Sequence, residues 1–194
     1  MENEKNIEKF EELLRSTERE GIEDLIAYIR TTDFYTAPAS TRFHSSCVGG
    51  LLSHSLNVYE MLKVKAATET WGKYLKNPAT VIIVSLLHDL CKANFYSVEM
   101  RNKKNEQGQW EKVPFYIIDD KSPYGHGEKS VMIAMEFIKL TAEEKYAIRW
   151  HMGFSEPREN YNYVGQAMEK FPLVVAVHEA DIEATYLMET TEAD

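Results

Sequence analysis

Two cysteines, Cys47 and Cys91, stand 44 positions apart in 194 residues, and no C-x-x-C pair occurs. That scarcity excludes a disulfide framework and a thiolate zinc knuckle, and it leaves both thiols to be read as reduced packing residues. Long apolar runs are missing too. A bilayer span needs roughly 18 to 20 such residues, and the oiliest stretch, "ATVIIVSLL", stops at His88 and Asp89. The charged start, "MENEKNIEKFEELLRSTERE", has no apolar centre of the signal-peptide kind. The expectation is a soluble, cytoplasmic protein with no membrane partner. Basic residues are few: 22 Lys and Arg against 31 Asp and Glu, for a net charge of -9. This argues against an extended nucleic-acid surface, although a few local cations can still hold a small anion. A "GxxxxGK" loop is absent as well, which excludes nucleotide hydrolysis of the P-loop type.

What the chain does have is 44% hydrophobic residues, enough for one substantial core, so residues 1–194 are read as a single domain. The periodicity is helical. Ile7, Phe10, Leu13 and Leu14, then Ile22, Leu25, Ile26 and Ile29, give two amphipathic helices broken near Gly21. In "GGLLSHSLNVYEMLKVKAATE", Leu51, His54, Val58 and Leu62 share a stripe, so His54 faces inward. "PATVIIVSLLHDLCK" opens with Pro78 and is apolar nearly all round, as a central buried helix would be. Thr141 and Glu144 make a capping-box pattern, and Val174, His178 and Asp181 lie along one face of a last helix. Around residues 95–118, two β-prone runs flank a polar segment with Gly108, which predicts a β-hairpin excursion from an all-α bundle.

The chemistry begins at "SLLHDLCK". A histidine and an aspartate at the end of an oily helix are costly to bury unless paired or bound to something, and a metal ion satisfies both. Neighbouring residues on a helix point about 100° apart, but at a helix end both can lean toward one cation. Nitrogen with carboxylate oxygen suits Mn, Fe, Co, Ni or Zn.

The ordered set of His54, His88-Asp89 and Asp181, in the contexts "GGLLSHSL", "LLHDLCK" and "EADIEA", resembles the HD superfamily of metal-dependent phosphohydrolases, an all-α fold, over about residues 42–184. The resemblance implies a first metal on His54, His88, Asp89 and Asp181, with Asp89 bridging to a second on Asp89, His126 and His151. Against this stand plainer readings: His126 as a helix cap, His151 as a surface residue, His178 as a packed neighbour. Lys92, three residues after Asp89, is the lysine that in the resembling family points at substrate phosphate, and Asp89 and Lys92 are the candidate catalytic pair. Arg42, His44, Lys121 and Lys129 are further candidate substrate contacts, each equally readable as an exposed surface residue, and "RNKKN" reads as a solvated hairpin tip.

The implied function is hydrolysis of a phosphoester by metal-activated water, with a nucleotide, cyclic nucleotide or short oligonucleotide as the small phosphorylated substrate and one or two divalent transition metals as cofactor. "GGLLSH" and "GHGEKS" look similar to HD proteins related to bacterial 3'-5' exoribonucleases, whereas the absence of "GYP" after His151 speaks against cyclic-di-GMP phosphodiesterases. Two other readings share the ligand set: an HD-type di-iron oxygenase and a silent nucleotide-binding module. Whether the chain forms an oligomer is left open.

Overall fold

A computed structural model describes residues 2–42 and 45–189. His44 therefore lies outside the described residues. Helices α1 (Glu2–Ser16) and α2 (Ile22–Arg30) fall on either side of Gly21, as their apolar spacing predicts. The centre is made by α3 (Gly50–Ala66) and α5 (Pro78–Leu87), which pack on each other, with α3 also against α1 and a late helix, α9 (Pro172–Glu183). Pro78 occupies the first turn of α5 and the Asn77 side chain accepts from Ala79 N at 3.0 Å, so the start is fixed locally. Every residue from Val81 to Leu87 is buried, as expected of a helix apolar on all sides. A short helix, α4 (Glu69–Gly72), joins α3 to α5.

The hairpin is present. β1 (Tyr96–Lys104) pairs antiparallel with β2 (Trp110–Ile118), in register from Tyr96 opposite Ile118 to Lys104 opposite Trp110. Its turn is closed by Asn105 Oδ1, which accepts from Gln107 N and Gln109 N. Most of the ribbon is exposed, and its foot is tied down where the Tyr96 hydroxyl donates to Ala39 O at 3.0 Å. The chain then returns through α6 (His126–Met135), α7 (Ala142–Arg149), α8 (Tyr161–Lys170) and α9. Thr141 and Glu144 form the reciprocal capping box at the start of α7. Helix α8 has no counterpart among the helices expected from periodicity, because only Val164 and Ala167 on it are buried and the periodic signal is correspondingly thin.

Packing holds these parts in one core. Phe10, Leu14, Leu25, Phe34, Leu51, Leu62, Ile83 and Leu87 are fully buried in a shared cluster that runs from α1 to α9. Two buried carboxylates fasten the N-terminal helices to it. Glu11 accepts from Arg30 at 2.6 and 2.7 Å and from Tyr35 at 3.1 Å, and Glu144 accepts from Arg19 at 2.8 Å and from Thr80 at 2.8 Å. Among the described residues, no helix is long and apolar enough to cross a membrane.

Candidate metal centre

The sequence elements converge where α5 ends. His88 still has helical angles, but at Asp89 the backbone leaves the α region (φ -104°, ψ 19°) and enters a 3-10 turn, Leu90–Lys92. That break lets two consecutive side chains turn to the same space, which an unbroken helix would forbid. His54 comes from α3, Asp181 from α9, His126 from the first position of α6, and His151 from the turn that follows α7. Gly127 makes the last two neighbours: a Cβ there would sit 2.2 Å from Arg149 O, so only glycine lets α6 and α7 come this close.

The distances describe a compact set around Asp89. His126 Nε2 is 2.9 Å and His151 Nε2 3.6 Å from Asp89 Oδ1, while Lys92 Nζ is 2.7 Å from Oδ2. His54 Nε2 lies 3.1 Å from Asp181 Oδ1 and 3.2 Å from His88 Nε2. Three triplets have donor atoms within 4.8 Å of one another: His54, His88 and Asp89; His88, His151 and Asp181; Asp89, His126 and His151. His54, His88, Asp89 and His151 are all buried, so His151 is not a surface residue.

The outer ring nitrogens are tethered. His88 Nδ1 donates to Ser85 O at 2.7 Å, His151 Nδ1 donates to Ile148 O at 2.8 Å, and His54 Nδ1 meets Glu189 Oε1 at 2.9 Å. Hydrogen bonds of this kind fix an imidazole's tautomer and orientation and leave the other nitrogen as a lone-pair donor. On the inner side the polar accounting is incomplete. His151 Nε2 and Asp89 Oδ1 are buried with no hydrogen-bond partner, since His126 is close to Oδ1 without the alignment a hydrogen bond needs. Such atoms are costly to bury bare. A nitrogen-and-carboxylate donor set with orphaned atoms at its centre fits a divalent transition metal.

Electrostatics agree. Burial lowers the pKa of His88 to about 4, so its imidazole is neutral near pH 7. Burial also opposes charge on His54, but the Asp181 and Glu189 carboxylates outweigh it and raise that pKa to about 10. Asp89 is buried, which alone would raise its pKa, yet Lys92 and the surrounding histidines hold it well below the usual carboxylate range. A proton on His54 supplies the positive charge that its carboxylate neighbours demand, so a divalent cation would have to displace it, and uptake would release a proton.

The other candidate residues are spread more widely. Lys92 stays at the centre. Arg42 is exposed, with its guanidinium 5.1 Å from the Phe115 ring on the hairpin. Lys121 is paired with Asp119 at 2.6 Å and largely exposed, and Lys129 is buried with its ammonium 2.6 Å from Asp120. His178 donates from Nδ1 to His151 O at 2.7 Å and packs over Gly153, where a Cβ would lie 2.5 Å from its ring; it holds the His151 backbone. The reading of the cysteines as packing residues holds for Cys91, which is buried with Sγ 3.2 Å from His126 Nδ1, and needs correction for Cys47, which is exposed. Glu189 was not anticipated, because no spacing rule links it to His54 and only the fold of the last helix brings the two together.

Comparison with known proteins gives one family. Residues 51–186 match the family model described as the HD domain. No curated protein and no solved structure matches the chain.

Proposed function

The chain belongs to the HD domain family of metal-dependent phosphohydrolases, and from that premise we propose that it hydrolyses a phosphoester of a nucleotide, cyclic nucleotide or short oligonucleotide. The observation that carries the reading is the pair of orphaned atoms, Asp89 Oδ1 and His151 Nε2, at the focus of four imidazoles and two carboxylates. His54, His88, Asp89 and Asp181 would hold one cation, and Asp89, His126 and His151 a second. Cations bound there, whether Mn, Fe, Co, Ni or Zn, would make water a nucleophile at neutral pH and offset charge on phosphoryl oxygens.

The protein's own groups do the rest. Lys92 uses one of its three donors on Asp89 Oδ2, which leaves two for phosphate oxygens, and its side chain is 15% exposed, so it borders solvent. Cys91 offers no competing nucleophile: burial pushes its thiol up to about 12, and it stays protonated. His126, the most exposed of the four imidazoles at 29%, stands at the side from which a substrate would enter. Arg42, His44, Lys121 and Lys129 remain proposed outer contacts for the substrate's anionic groups.

The test is a panel of phosphoesters assayed both anaerobically and in air, with Mn, Co, Ni, Fe and Zn supplied separately. Release of phosphate or a nucleoside monophosphate without oxygen uptake is expected, with Mn or Ni serving about as well as iron. Turnover that needs iron and consumes oxygen would instead make the protein an oxygenase, and binding of nucleotide without turnover would make it a sensor module.

A further inference from the structure

The segment that follows Asp181 does something the family match does not cover. After α9 the helix widens into a π-helical turn, Ala184–Met188, closed by Glu189 N donating to Ala184 O at 3.2 Å. In an uninterrupted α-helix, residues 181 and 189 would point about 80° apart. A turn with i→i+5 bonds holds one residue more and brings residue 189 back toward the face that carries Asp181. The result is that one continuous helical segment reaches both nitrogens of a single imidazole: Asp181 Oδ1 is 3.1 Å from His54 Nε2, and Glu189 Oε1 is 2.9 Å from His54 Nδ1.

Glu189 is itself held firmly. Its side chain is 3% exposed, Oε1 also accepts from Asn57 Nδ2 at 3.0 Å, and Oε2 accepts from the Ser45 hydroxyl at 2.8 Å. Asn57 and His54 lie three residues apart on α3, so the helix presents two donors to one carboxylate oxygen. His88 and His151 give their outer N–H to backbone carbonyls, whereas His54 gives its own to a carboxylate. An ionised acceptor makes a stronger hydrogen bond and raises the basicity of the opposite nitrogen. Both Glu189 and Ser45 lie outside residues 51–186.

We propose that Glu189 is a positioning residue of the metal centre: it holds the His54 ring with Nδ1–H as its donor, so that Nε2 is the nitrogen turned to a metal that displaces its proton, and it strengthens Nε2 as a ligand. The assignment rests on the metal reading of the site. It also makes the π turn functional, because that turn aims Glu189 at α3.

The experiment titrates metal-free protein with zinc by calorimetry and compares wild type with Glu189→Gln, a variant of the same shape without the charge. Zinc affinity at the His54 side should fall roughly 10- to 100-fold, with an unchanged far-UV circular dichroism spectrum. The Nδ1–H proton signal of His54 in the zinc-loaded protein should move upfield as its acceptor loses charge, a change that a merely structural strap would not produce. Ser45→Ala, which removes one donor to Glu189 and no charge, should weaken the same ion by a smaller factor and serves where Glu189→Gln fails to fold. Wild-type zinc affinity and an unmoved His54 signal in the variants would overturn the role of Glu189 alone. Absence of zinc uptake by the wild type would overturn the metal reading and this assignment with it.

Discussion

Glu144 and Asp89 are both carboxylates shut away from water, and their surroundings are built to different ends. Around Glu144 every lone-pair direction has a donor: Oε1 accepts from Thr80 and Arg19, and Oε2 accepts from Arg19 and from the backbone of Thr141. Around Asp89, Lys92 takes one oxygen, and the other faces imidazoles without a hydrogen bond. A buried charge that serves only the fold is finished by its neighbours. One that serves chemistry, as proposed for Asp89, keeps a bonding direction open for a ligand to complete. Glu11, with Arg30, Arg15 and Tyr35 around it, belongs with Glu144.

The sharpest contrast should come from Lys92, the cation on the unfinished side. Lys92→Ala should lower phosphoester turnover by about 10² to 10³ while the metal content, read by elemental mass spectrometry, stays at the wild-type level. Loss of metal together with activity would make Lys92 part of the fold's support instead of a substrate residue. On the finished side the effect should appear in stability. Glu144→Ala strands Arg19 and Thr80 and removes the side-chain half of the α7 capping box, at a cost of about 3 kcal/mol, toward the low end for a broken buried pair because Arg19 can still reach water. The urea midpoint reads this, and turnover per folded molecule should not change. A cost below about 0.5 kcal/mol, typical of a surface pair, would erase the distinction.

The smallest effect is a pH dependence. Glu144 and Glu11 both have folded pKa values lowered from 4.5, each against the opposing effect of burial, by their arginine and hydroxyl partners. Their contribution to stability is therefore complete above about pH 4.5 and is lost as the pH falls through the lower folded values. Thermal melts should decline on that acid side, and Glu144→Gln should decline less steeply than wild type there. Parallel curves would remove Glu144 from the explanation.

The two kinds of site also differ in how far they can be read from sequence. The capping box announces Glu144, but nothing in the spacing announces Arg19, 125 residues away. The inward stripe of α3 and the oily run before His88 mark the helices of the candidate ligands because burial imposes a period on the sequence. The hairpin was legible from β-branched and aromatic runs around Gly108. Helix α8 and the π turn were not, since a thin apolar stripe and a one-residue widening leave no periodic trace. The contacts of His126 with Cys91 and of His54 with Glu189 depend on where whole helices pack. Lys121 and Lys129 flank His126 in sequence, but their partners Asp119 and Asp120 can be recognised only in the fold.

The central claim is that the open oxygen of Asp89 is reserved for metal, and counting ions in purified protein tests it most directly. Wild type grown with added Mn, Co, Ni, Fe or Zn should carry between one and two transition-metal ions per chain. Asp89→Ala should carry none, while His126→Ala and His151→Ala each lose mainly one. An Asp89→Ala protein that stays folded and keeps the wild-type metal content would contradict the account.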